Sequence, residues 1–91
     1  MSESYRVLKE FTFADGDVLR VGDLFRDKGG SILDTYRVKA IRNYRRSGLQ
    51  VVVTIIRRVR DGQVSEPMVE AGPWPVTALF DGRIVRVEAE S

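Results

Sequence analysis

Three Asp-Gly dipeptides, Asp15-Gly16, Asp61-Gly62 and Asp81-Gly82, punctuate short runs of Val, Ile, Leu, Tyr and Phe. Asp-Gly is a strong hairpin signal, because both residues tolerate the positive φ that a two-residue turn demands and the resulting twist matches that of the flanking strands. A fourth turn, Arg46-Ser47-Gly48, has the make-up of a three-residue loop with its glycine in the left-handed position. Reversals this closely spaced leave room only for short elements. Between them the apolar residues recur at a period of two rather than 3.6. The chain is therefore expected to be all-β.

The runs predict strands at 5–13, 18–26, 32–45, 49–60, 63–70, 76–80 and 83–88. The Asp27–Ser31 loop joins the second to the third, and 19–26 has an alternative as one helical turn capped by Asp23. Residues 71–75, Ala-Gly-Pro-Trp-Pro, are excluded from a central strand because proline donates nothing to a ladder. The expected object is one domain over 1–91, with 1–4 and 89–91 as loose ends. It is a small antiparallel barrel or roll of five to seven strands. In length, strand count and turn spacing it resembles SH3-like and OB-fold barrels, a likeness that implies fold and not function.

Composition removes several chemistries. The chain has no histidine and no cysteine, which takes away the commonest general base, the usual zinc ligands and any Ser-His-Asp or Cys-His nucleophile. No metal, no cofactor and no enzymatic activity are expected. With 43% hydrophobic and 31% charged residues the chain reads as globular rather than disordered. The N-terminus lacks the pattern of a signal peptide, and the longest apolar stretch, 49–56, is too short for a membrane helix. A cytoplasmic protein without membrane attachment is expected. Lys28-Gly29-Gly30-Ser31 lacks the spacing of a phosphate-binding loop, and Asp15-Gly16-Asp17 lacks the twelve-residue calcium pattern.

The net charge of +2 conceals a sorted distribution. Between Thr35 and Arg60 lie eight basic residues and no acidic one: Arg37, Lys39, Arg42, Arg45, Arg46, Arg57, Arg58 and Arg60. The rest of the chain holds seven basic residues against all thirteen acidic ones. Such asymmetry marks a surface that meets an anion, or one balanced by acidic segments of the same chain.

Residues 32–60 form the longest expected hairpin. In its second strand Leu49, Val51, Val53 and Ile55 should face the core, sending Gln50, Val52, Thr54, Ile56 and Arg58 outward. In the first strand a β-bulge near Ala40-Ile41 would return Ile41 to the core and place Arg37, Lys39, Arg42 and Tyr44 on the outer face. Arginines interleaved with an aromatic ring suit nucleic acid, the charges following phosphates while the ring stacks on a base. The expected nucleic-acid contacts are Arg37, Lys39, Arg42, Tyr44, Arg45, Arg46, Arg58 and Arg60, with Trp74 as a second stacking ring. Competing accounts are an acidic protein partner or a homo-oligomer, with Val52 and Ile56 at the interface. Plainer ones are arginines that guard a sheet edge or pair within the chain, and outward valines that are only good strand formers. Trp74 has its own plain role as the cap of an open barrel end. A weaker alternative is a barrel that encloses a small molecule against Tyr5, Tyr36 and Tyr44.

Overall fold

The computed structural model describes residues 4–87. They form nine strands: β1 (Tyr5–Leu8), β2 (Glu10–Thr12), β3 (Val18–Arg20), β4 (Leu24–Asp27), β5 (Ile32–Tyr44), β6 (Gly48–Arg60), β7 (Gln63–Ser65), β8 (Val69–Pro75) and β9 (Ile84–Val87). A 3-10 turn over Val76–Phe80 lies before β9. Seven strands make one strongly curled antiparallel sheet, a half-barrel, and β2 pairs with β3 as a separate ribbon.

The β5–β6 hairpin is the spine. Each arm has 13 residues, about 40 Å of extended chain, which matches the longest molecular dimension of 41 Å. Both arms are paired on their far sides, each by two short strands in succession. β4 covers the first half of β5 and β1 the second. β8 covers the first half of β6 and β7 its end, while β9 extends the sheet beyond β4.

Two bulges bend this ribbon. Val38 pairs with Val53 and Ala40 with Val52, so Lys39 is the extra residue on β5. Thr35 pairs with Arg57 and Tyr36 with Ile55, so Ile56 is the extra residue on β6. An extra residue deepens the local twist and changes which residues face inward beyond it. The first bulge lies one residue before the expected site and, as expected, puts Ile41 in the core. The second was not foreseen, and it inverts the facing of the last third of β6.

Val51, Val53 and Ile55 are buried with Val38, Ile41, Tyr36, Leu19, Phe25, Val76 and Leu79, and Leu49 packs against this cluster. Edge-to-face rings close the open side: Phe11 on Phe13 at 5.1 Å, Phe13 on Phe80 at 5.3 Å and Phe80 on Phe25 at 5.8 Å. Arg86 lies 5.4 Å from the Phe25 ring and bridges to Asp17 at 3.0 Å, tying β9 to the β2–β3 ribbon.

Several local expectations are corrected. Residues 76–80 are a 3-10 turn and not a strand, because Val76 and Leu79, three apart, are the pair that is buried. The expected strands 5–13 and 18–26 each break in two. The second breaks at a turn in which Asp23 Oδ2 accepts the Arg20 N–H at 2.9 Å, so no helical turn forms there. Residues 71–75 are, as expected, not in a central strand; they continue the edge strand β8, whose free edge tolerates the two prolines. Of the three Asp-Gly pairs only Asp61-Gly62 has both residues at positive φ, +52° and +77°. Gly48 is left-handed at +83°, as the loop composition required. The loose ends expected at 1–4 and 89–91 fall, apart from Ser4, outside the described residues.

Candidate nucleic-acid interface

The basic residues of the hairpin do not share one face. They separate into three groups along its length.

At the base, beyond the Ile56 bulge, Arg58 lies on the inner side. Its Nε and Nη2 donate to the two carboxylate oxygens of buried Asp34 at 2.8 and 3.1 Å. The Asp34 N–H donates to Asp27 Oδ2 at 2.9 Å, and the Tyr36 hydroxyl donates to Asp27 Oδ1 at 2.9 Å. Burial, reinforced by that hydrogen bond and the nearby carboxylates, pushes the Tyr36 hydroxyl well above the ordinary tyrosine range. The hydrogen bonds to Asp34 hold Arg58 more firmly protonated than a free guanidinium. Arg58 is thus an internal ion-pair partner and not part of an outer basic face. Arg60 ends β6 beside it, at the opposite end of the hairpin from the tip.

Midway along, Lys39 bulges outward and reaches Glu70 on β8, so its charge is met within the chain. Arg37 and Arg57 are exposed and have no ion-pair partner among the described residues. Val52 is 6% exposed and therefore already covered, lying opposite the Gly72-Pro73 step where β8 gains a residue against β6. It is not available to an interface. The step needs glycine: a Cβ at Gly72 would stand 2.8 Å from the Val51 carbonyl oxygen. Ile56 is half-buried in an outer groove. Trp74 pairs with Val51 on the inner side, where its ring meets Tyr36 edge-on at 5.5 Å. It belongs with the core and not with the outer arginines.

The tip is different. β1 runs antiparallel to the end of β5 with Tyr5 opposite Tyr44 and Val7 opposite Arg42. The two tyrosine rings lie 5.0 Å apart at an interplanar angle of 42°. The Arg42 guanidinium stands 4.8 Å from the centre of the Tyr5 ring, and its Nη1 donates to the Tyr44 hydroxyl at 3.3 Å. That hydrogen bond raises the Arg42 pKa further above its ordinary value. Beside this group is an open cleft of about 480 Å³ lined by Ser4, Tyr5, Arg6, Asn43, Tyr44 and Arg45. The Arg45 N–H donates to the Ser4 carbonyl at 3.1 Å, which fixes β1 to the loop. Neither β1 nor residues 40–50 contain an acidic residue, while Arg6, Arg42, Arg45 and Arg46 all lie there.

Of the expected contacts the structure brings together Arg42, Tyr44 and Arg45 and adds Tyr5, with Arg46 next in the hairpin loop. It separates Arg37, Lys39, Arg58, Arg60 and Trp74 from them. The sequence marks Tyr5 only as a candidate cavity-lining ring. Its Tyr-Arg-Val-Leu run is a strand signal, but nothing local says which strand it pairs with.

Comparison with known proteins supplies no further constraint: no family model matches the chain, and no curated protein or solved structure matches it significantly. Among the described residues no group of three or more His, Cys, Asp or Glu is placed to hold a metal ion. No helix among them is long and apolar enough to cross a membrane.

Proposed function

We propose that the chain is a non-enzymatic, cytoplasmic binding module that takes nucleic acid on the tip of the β5–β6 hairpin. Arg42, Arg45 and Arg46, with Arg6 from β1, supply charge for phosphates. Tyr5 and Tyr44 supply rings for bases. The observation that carries this reading is the Tyr5–Tyr44–Arg42 group, two rings and a guanidinium in mutual contact beside an open cleft whose described lining residues include no carboxylate. Stacking on exposed rings and on guanidinium planes is how sheet surfaces hold unpaired bases, and arginine forks match phosphate oxygens.

Fluorescence anisotropy with labelled single- and double-stranded oligonucleotides, at about 50 and about 200 mM salt, tests it. Micromolar or tighter binding that weakens steeply with salt is expected, with a preference for the single strand. The double variant Arg45→Ala, Arg46→Ala should weaken binding on every sequence and flatten the salt slope by about two phosphate contacts. No binding at the lower salt would overturn the proposal.

A further inference from the structure

The Ile56 bulge has a second consequence, on the outer face midway along the hairpin. There β6 leaves β8 and begins to pair with β7, and a two-lobed groove opens. One lobe, of about 310 Å³, is walled by Arg37, Arg57, Val64, Glu66 and Met68. The other, of about 480 Å³, runs past Leu24 and Val87 toward Asp23 and Arg86. Arg37 and Ile56 belong to both lobes.

The first lobe is unusually apolar for an exposed surface. Val64 is 57% and Met68 55% exposed, beside half-buried Ile56. Met68 is held in an uncommon conformation. Its φ is +53°, a left-handed value that residues with a Cβ rarely adopt, and its N–H donates to the Ile55 carbonyl at 2.8 Å. The backbone is thus spent on presenting a methionine, the side chain best able to adapt to varied apolar partners.

The charges give the occupant its chemistry. Arg37 and Arg57 are diagonal neighbours, since the partner of Arg57 is Thr35, two residues before Arg37. Diagonal positions on a sheet lie roughly 7–8 Å apart, close to the separation of about 7 Å between alternate residues of an extended chain. Of the acids around the groove, Asp23 accepts the Arg20 N–H and faces Arg86 at 3.9 Å, while Arg86 is itself bridged to Asp17. Glu66 stands at the rim of the first lobe. The groove therefore offers apolar surface beside two guanidiniums that form no ion pair among the described residues.

We infer that this groove docks an extended acidic segment of a partner protein. Its apolar side chains cover Ile56, Val64 and Met68, and its carboxylates at alternate positions meet Arg37 and Arg57. A nucleic-acid strand would use the guanidiniums but leave the valine–methionine wall uncovered. Five residues separate Arg37 from Arg42, about 17 Å along β5, so the groove and the tip can be occupied together. The chain then acts as an adaptor between nucleic acid and an acidic partner.

The test is anisotropy of a fluorescein-labelled peptide in which leucines alternate with glutamates, titrated with the full chain. Saturable binding is expected. It should weaken about tenfold when glutamines replace the glutamates, and equally in the double variant Arg37→Ala, Arg57→Ala. Glu66→Gln should tighten it, and Tyr5→Ala should leave it unchanged. Met68→Ser, at an exposed site, should weaken it with no change in thermal unfolding, which separates docking from folding. Equal affinity for the glutamine peptide would overturn the inference. So would loss of oligonucleotide binding in the Arg37, Arg57 double variant as large as in Tyr5→Ala, or a dimer in sedimentation that Met68→Ser dissolves.

Discussion

The two ends of the β5–β6 hairpin are both rich in arginine and use it in opposite ways. At the base, Arg58 is joined by two hydrogen bonds to Asp34, which with Asp27 and Tyr36 makes a closed polar network against the core. At the tip, Arg42 lies on the Tyr5 ring and donates to the Tyr44 hydroxyl, with no ion-pair partner among the described residues. A count of basic residues treats these ends as equal. Their partners make one end a closed ion-paired element and leave Arg42, at the other, held by two tyrosines. The same distinction separates Lys39, met by Glu70, from Arg37 and Arg57, met by nothing described.

If the ends differ in this way, damage to each should register in a different measurement. The largest effect is expected at the base. Asp34→Ala removes the carboxylate that satisfies Arg58 and costs on the order of 2 kcal/mol of folding stability, measured by urea denaturation. Oligonucleotide affinity should not change. A loss of affinity in the folded variant would mean that the base takes part in binding and would break the comparison. At the tip the signs reverse. Tyr5→Ala or Tyr44→Ala should each cost about 1–2 kcal/mol of single-strand binding, the usual worth of a stacked base. Stability should fall less, since Tyr5 is 47% exposed.

A pH titration sharpens the contrast. The Tyr36 hydroxyl is favoured in its neutral form by burial first and by its hydrogen bond to Asp27 second, so its folded pKa lies above the ordinary 10.0. A raised pKa contributes stability that is complete below the unfolded value and is lost as pH rises through the folded one. Urea denaturation curves should therefore show stability falling above about pH 10, and Tyr36→Phe should reduce that slope. An unchanged slope in the variant would show that the base network does not govern the alkaline limit.

How much of this could be read in advance depends on the kind of signal. Period-two alternation marked Val51, Val53 and Ile55 as core, and Gly48 fitted its loop, because both are local patterns. The Ile56 bulge was illegible for a specific reason. Ile55-Ile56-Arg57-Arg58 is an apolar doublet followed by a basic doublet, and either member of each could face inward. Arg58 was consequently assigned outward. Tyr5 was missed because its position beside Tyr44 depends on the β1–β5 pairing, a contact between distant segments that no local pattern encodes. Trp74 leaves two sequence readings open, a stacking ring or the cap of an open end, because its inner position depends on the pairing of edge strand β8 with β6, which no local pattern encodes.

The smallest effect is the one expected at Lys39, which lies between the two ends. Its pair with Glu70 is exposed on both sides, 54% and 57% for the side chains. Such a pair gains little over hydrated charges, so Lys39→Ala should cost no more than about 0.5 kcal/mol of stability. Glu70 already answers its charge, so the same variant should leave the salt dependence of oligonucleotide binding unchanged. A slope reduced by about one phosphate contact would mean that Lys39 leaves Glu70 for the ligand. The basic surface would then extend from the tip past the first bulge, and the division between the ends would fall at Arg37 rather than at Arg42.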